Sequence, residues 1–199
     1  MKGCLAIIIK TVIAVLVFFG LLHLGVIDFI KDRIADFTSD KPAVTEEVND
    51  IVNLEDINDE YTIDKDLKIL KNRMIIAEHN ATGQKMIMVE PRNEDILTKE
   101  DITADNIQQK LNSIINKYKY QVVKFDKVEV TKHGEFEGLN QTIPYVKINA
   151  EISNLPIKGY EGILGVAELE NGKNLILISV NQNGKYSQII TDAFYEKVK

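Results

Sequence analysis

Residues 174–180, Asn-Leu-Ile-Leu-Ile-Ser-Val, are the stretch of sequence that decides the fold. Its inner four residues, 175–178, are all apolar, so a strand here would have apolar side chains on both faces. Because such a strand needs cover on both sides, it is expected at the centre of a sheet.

This strand is expected to pair with residues 163–169, because Asn171-Gly172 lies between the two stretches. Asn-Gly favours a type I′ hairpin turn, which needs positive φ at both central positions. After the hairpin, Ser187 is expected to begin a final helix. Its apolar residues recur at helical spacing and predict a stripe that packs on the sheet. The stripe consists of Ile189, Ile190, Ala193, Phe194 and Val198.

Two further strands are predicted upstream of this hairpin. Residues 145–152 alternate between apolar and polar side chains, which is typical of a half-buried strand. Residues 121–130 are rich in valine and predict a second strand. The polar residues between them, 131–140, are interpreted as a loop.

A helix and another hairpin precede these strands. Thr103 is expected to cap a helix over residues 103–120, whose apolar residues follow the 3.6-residue period. Residues 73–77 and 85–89 are short apolar runs on either side of the turn signal at residues 80–83, and they predict a hairpin.

The predicted order of elements is ββ-α-ββ-ββ-α. It indicates an α+β domain over residues 67–199, with an antiparallel sheet of about six strands and helices packed on it. Packing both apolar helix stripes onto the sheet gives an arrangement like an α/β/α sandwich.

The N-terminal region predicts a membrane anchor. Residues 5–27 contain only three polar side chains and would span roughly 35 Å as a helix, more than the hydrocarbon core of a bilayer. Signal-peptide cleavage after Gly20 or Gly25 would place Phe18 or His23 at the third-last position, where a small residue is needed, so the helix is expected to be retained. Residues 1–37 are therefore interpreted as a transmembrane helix with a juxtamembrane extension. Lys2 and Lys10 favour a cytoplasmic N-terminus and an extracytoplasmic C-terminal domain in the cell membrane.

Residues 38–66 are interpreted as an acidic linker with a short helix. Residues 1–66 hold 13 acidic and 6 basic side chains, a net charge of −7, whereas residues 67–199 carry +1. A near-neutral domain on an acidic tether gives no electrostatic reason to expect nucleic-acid binding.

The sequence contains no recognisable catalytic, metal or cofactor motif. His79 and His133 lack metal-ligand spacing, and the single cysteine, Cys4, excludes a cysteine-rich zinc site. Gly159, Gly162 and Gly165 are followed by a predicted strand, whereas a phosphate loop needs a helix there. Close packing of a helix over the sheet is the better explanation of Gly165. No catalytic residue, metal ligand or cofactor is therefore predicted.

Tyrosines supply the candidate interaction surface. Tyr145, Tyr160 and Tyr186 are singled out because exposed tyrosines anchor protein interfaces. The alternative is that these side chains simply pack at the ends of strands and helices.

The order of elements also resembles a known family. A hairpin leads into the helix at residues 103–120, and two strands follow; the hairpin ending at residues 174–180 then runs into the closing helix at 187–198. This order is similar to that of PsbP/DcrB-like domains, which are extracytoplasmic α/β/α sandwiches. The resemblance covers residues 67–199, but the family's usual aromatic–Pro–Gly–Trp-like opening is absent near Tyr61. It implies a non-enzymatic accessory of a membrane protein complex and transfers no individual functional residue.

Three functions are compatible with these observations. The favoured one is a membrane-anchored, non-catalytic extracytoplasmic domain that binds a membrane protein partner or assists its assembly. The alternative is a domain that binds a small ligand or a cation between sheet and helix. The third is a tethered hydrolase, which would need a nucleophile or carboxylate within reach of His79 or His133.

Overall fold

The computed structural model describes residues 54, 57, 59–69, 72–91, 97–117, 125–152 and 159–199. The predicted membrane span at residues 5–27, its juxtamembrane extension and most of the predicted linker lie outside these residues. The α+β class predicted from the sequence is confirmed for the part that the structure describes.

Seven strands and three helices make up the described part of the chain. The strands are β1 (Tyr61–Ile69), β2 (Asn72–His79), β3 (Lys85–Glu90), β4 (Phe125–Gly138), β5 (Gln141–Ile152), β6 (Gly159–Glu168) and β7 (Asn174–Gln182). The helices are α1 (Lys99–Thr103), α2 (Ile107–Lys117) and α3 (Gln188–Tyr195).

All seven strands form one antiparallel sheet in the order β1-β2-β3-β7-β6-β5-β4. β7, which carries the apolar run at residues 175–178, is the middle strand, as its two apolar faces predict. The predicted hairpin β2–β3 and the predicted strand at residues 145–152 are also confirmed.

The two faces of the sheet carry separate apolar cores. On the α1/α2 face, Leu97, Ile102, Ile107 and Leu111 pack over apolar side chains of β2 to β7. On the α3 face, Phe194, Tyr195 and Val198 pack over the alternate side chains of the same strands. Helices on both faces of the sheet match the expected sandwich arrangement.

The sheet begins earlier than the sequence predicts. β1 starts at Tyr61, within the range assigned to the linker, and raises the number of strands from about six to seven. Four of its nine residues, in the run Tyr-Thr-Ile-Asp-Lys-Asp-Leu-Lys-Ile, are charged. Such a composition is typical of an edge strand, and it obscures the strand in the sequence.

The helix and loop predicted between β3 and β5 need correction. Thr103 is the last residue of α1, and the capping residue is Thr98, whose hydroxyl accepts from Asp101 N. β4 continues to Gly138, so residues 131–138 are strand and not loop. Because β4 is the other edge strand, its outer residues stay solvated and polar, which made it look like a loop.

The turns differ from expectation as well. At the β6–β7 turn only Gly172 has positive φ (+75°), so the turn is not type I′. The two successive positive φ values belong to Leu139 (51°) and Asn140 (55°), in the tight turn between β4 and β5.

Gly165, within β6, does not face a helix as the sequence suggested. It faces the carbonyl of Pro144 on the neighbouring strand, which is 3.1 Å from where a Cβ of residue 165 would stand.

Candidate binding surfaces

The three candidate tyrosines do not form one surface. Tyr160 lies on the α1/α2 face and is 2% exposed, whereas Tyr145 lies on the α3 face and is 8% exposed. Tyr186 precedes α3, is partly buried and packs against the α3-side core. Two of the three are therefore core residues, which favours the packing alternative for them.

Tyr145 has a structural role that its sequence position did not reveal. It lies directly opposite Gly134 on β4, and a Cβ at Gly134 would come within 2.5 Å of the tyrosine ring. The ring covers this glycine and approaches Phe136, with 6.0 Å between the centroids. Burial raises the pKa of Tyr145, so its phenol stays protonated at neutral pH.

A buried polar cluster fixes α3 on the sheet. Gln84 Nε2 lies 2.9 Å from Ser179 Oγ and 3.0 Å from Thr191 Oγ1, and Gln84 Oε1 accepts from Ser187 N at 2.8 Å. Thr191 Oγ1 also donates to Ser179 Oγ at 2.7 Å. Gln84, Ser179 and Thr191 are fully buried. Since the cluster is internally paired, it joins α3 to β3 and β7 and leaves no open site.

The histidines lie apart from any arrangement that suggests catalysis. His79 Nδ1 is 2.9 Å from Thr82 Oγ1 in the exposed β2–β3 turn, and that hydroxyl also accepts from Gln84 N. His133 is exposed on β4. Among the residues that the structure describes, no serine, cysteine or carboxylate hydrogen-bonds to either ring, and no group of three His, Cys, Asp or Glu could hold a metal ion.

An exposed apolar surface borders α3. Ile189 is 80% exposed and Ile63 is 38% exposed, although the sequence placed Ile189 on the packed stripe. The two residues belong to adjacent elements, because Tyr61 on β1 hydrogen-bonds through its hydroxyl to the Ile190 carbonyl on α3 at 3.4 Å. Ile63 and Ile189 together are named the Ile189 patch. The β1 part of this patch had no signal in the sequence, because β1 itself was not predicted.

A polar depression occupies the corner of the α3 face where β4 and β6 begin and β5 ends. Its volume is about 370 Å³, and its polar lining comprises Lys127, Glu129, Asn149, Glu151 and Asn183. By strand register, the first four of these residues project on the same side as Tyr145. This region is named the open corner.

Charges in the open corner are only partly paired. Lys127 Nζ is 2.8 Å from Glu129 Oε2. The hydrogen bond to Glu129 and its charge, together with the charge of Glu151, raise the pKa of Lys127. Nearby, Lys147 Nζ is 2.6 Å from Glu161 Oε1 and 5.5 Å from the centre of the Tyr186 ring. The Lys147–Glu161 pair lies between the open corner and the half of the α3 face that α3 covers, which is called the covered half.

Comparison with known proteins does not assign the chain to a family. It matches no protein-family model and no curated protein sequence. The resemblance to PsbP/DcrB-like domains therefore stays a hypothesis based on element order. In the described ranges, none of the helices has the length and apolar character needed to cross a bilayer.

Proposed function

We propose that this protein is a membrane-anchored, non-catalytic extracytoplasmic domain that binds a membrane protein complex as an accessory to its assembly. The observation that carries this proposal is the Ile189 patch. A partner that covers these exposed isoleucines would remove apolar surface from water, which favours association.

The path of the tether supports a partner within the same membrane. Leu54 and Ile57, the first described residues, are partly buried and pack against the α3-side core. The chain therefore enters the domain on the face that carries the Ile189 patch. If residues 5–27 span the bilayer, a partner embedded in that bilayer meets this face first.

The test is crosslinking of the full-length tagged protein in its native membrane, with mass spectrometry of the captured proteins. Ile189→Asp places a charge in the patch without touching the core, because the wild-type side chain is 80% exposed. Gln109→Asp is the matched control, since Gln109 is also an exposed helix residue but lies on α2. A membrane protein captured by the wild type and by Gln109→Asp, but lost with Ile189→Asp, is the expected result.

Two other outcomes would contradict the proposal. Capture of the same proteins by all three forms would mean that the Ile189 patch is not the interface. Self-crosslinking that Ile189→Asp abolishes, with no other protein captured, would identify a second copy of this chain as the occupant of the patch.

A small-ligand function is the second candidate. The observation that favours it is the depression at the open corner, whose volume of about 370 Å³ lies in the range of ligand sites.

A further inference from the structure

The open corner has more polar capacity than its own residues use. The side chains of Asn149 and Asn183 line it, and neither amide hydrogen-bonds to any residue that the structure describes. Each amide offers one acceptor oxygen and two donor hydrogens. A ligand in the depression would therefore find unused donors and acceptors on two of its walls.

The charge of the corner is unbalanced. Lys127 is paired with Glu129, so the neighbouring Glu151 is left in excess. The Glu151 carboxylate has no ion pair and no side-chain hydrogen bond within the described ranges. With two carboxylates and one ammonium group, the corner carries an excess of negative charge, which favours a ligand of positive charge.

The cation is expected to be organic. In the part of the chain that the structure describes, no set of three His, Cys, Asp or Glu residues is placed to hold a metal ion. Two amides and one carboxylate suit an ammonium group instead, because its three N–H donors can be shared among these three acceptor groups. The remaining amide hydrogens can donate to hydroxyl or carbonyl groups of the same molecule.

We propose that the open corner binds a small organic ammonium compound that also carries hydroxyl or amide groups. Glu151 receives the ammonium group, and Asn149 and Asn183 hydrogen-bond to the polar groups next to it. The site lies on different residues from the Ile189 patch, so it does not depend on the proposed partner.

Glucosamine is a suitable probe, because it combines one ammonium group with several hydroxyls. Its binding to full-length protein in phosphatidylcholine nanodiscs is measured by saturation-transfer NMR at slightly acidic pH, with empty nanodiscs as background. Glucose and N-acetylglucosamine are the uncharged controls. We expect glucosamine to bind at least about tenfold more tightly than either control, as expected for one charge-assisted hydrogen bond.

Variants then locate the site. Glu151→Gln keeps the shape of the side chain but removes its charge, and it should weaken glucosamine binding about tenfold or more. Asn183→Ala should weaken it severalfold. Glu170→Gln, at an exposed turn residue away from the corner, is the matched control and should change nothing.

Three results would overturn the proposal. The first is absence of glucosamine binding at concentrations well above the millimolar range. The second is equal binding of glucosamine and glucose, which would remove the role of charge. The third is unchanged binding by Glu151→Gln, which would place the ligand elsewhere. Capture of a membrane partner by Glu151→Gln is expected to match the wild type, so the two proposals fail separately.

Discussion

The two faces of the sheet are made by the same strands but are covered differently. On β5, the side chains Val146, Ile148, Ala150 and Ile152 are all apolar and buried under the α1/α2 side. The alternate side chains change along the strand from Ile143 and Tyr145 to Lys147, Asn149 and Glu151. The α1/α2 face of β5 is thus a core over residues 146–152, whereas the α3 face is a core over residues 143–145 and polar beyond them.

This difference assigns folding stability to the covered half of the α3 face and ligand binding to the open corner. Buried apolar area contributes about 25 cal/mol per Å² to folding, whereas exposed polar side chains contribute little. The covered half of the α3 face can therefore hold the helix while the open corner stays available for a ligand. Substitutions in the two halves are therefore expected to have different effects.

The largest expected effect is at Phe194, in the covered half. Its side chain is fully buried and lies 5.1 Å from the Tyr61 ring and 5.2 Å from the Tyr195 ring, centroid to centroid. Phe194→Ala should lower the free energy of unfolding by about 3 to 5 kcal/mol. The measurement is denaturant unfolding of the full-length protein in detergent, followed by tyrosine circular dichroism.

Ile189→Ala is the control for this substitution, because Ile189 lies on the same helix but is 80% exposed. It should change the free energy of unfolding by less than about 0.5 kcal/mol. A loss of less than about 1 kcal/mol for Phe194→Ala would mean that α3 does not stabilise the sheet.

An intermediate effect is expected at Tyr160, on the other face. Burial raises the pKa of its phenol to about 12 in the folded protein, whereas the unfolded value is near 10. The protonated phenol is therefore favoured by folding, and this contribution is complete below pH about 10 and is lost as the pH rises towards 12. The loss is on the order of 2 kcal/mol.

Tyr160→Phe isolates this contribution, because phenylalanine has no group to titrate. At neutral pH the variant should be as stable as the wild type or more stable by about 1 kcal/mol, since the unpaired hydroxyl is removed. Between pH about 10 and 12 its advantage should widen. A constant difference across this range would show that Tyr160 is not buried in solution.

Much of the fold follows from local sequence patterns. The apolar run at residues 175–178 placed β7 at the sheet centre, and the alternation at residues 145–152 identified β5. Both strands have strong signals because burial restricts which side chains they can carry. The edge strands β1 and β4 are solvated on one side, so their polar residues at 61–66 and 131–138 looked like linker and loop.

The open corner could not be predicted in the same way. Lys127, Asn149 and Asn183 come from three separate segments, and only the order of strands in the sheet brings them together. No spacing in the sequence encodes that order. Conversely, Tyr145 and Tyr160 were singled out as exposed, because a sequence does not show whether an aromatic ring lies under a helix or beside a glycine.

The smallest expected effect is at Lys147, where the covered half of the α3 face meets the open corner. Its ion pair with Glu161 is partly exposed, at 34% and 19% of the two side chains, and its ammonium group lies 5.5 Å from the Tyr186 ring centre. Lys147→Met keeps the apolar stem and removes the charge, so the free energy of unfolding should fall by less than about 1 kcal/mol. Added salt should reduce this difference in the free energy of unfolding further, because it screens exposed ion pairs.

A loss above about 2 kcal/mol for Lys147→Met that salt does not change would mean that the polar side chains at this boundary support the fold. The proposed contrast between the covered half of the α3 face, which stabilises the fold, and the open corner, which does not, would then be wrong. The unpaired polar groups of the open corner would no longer support a binding site.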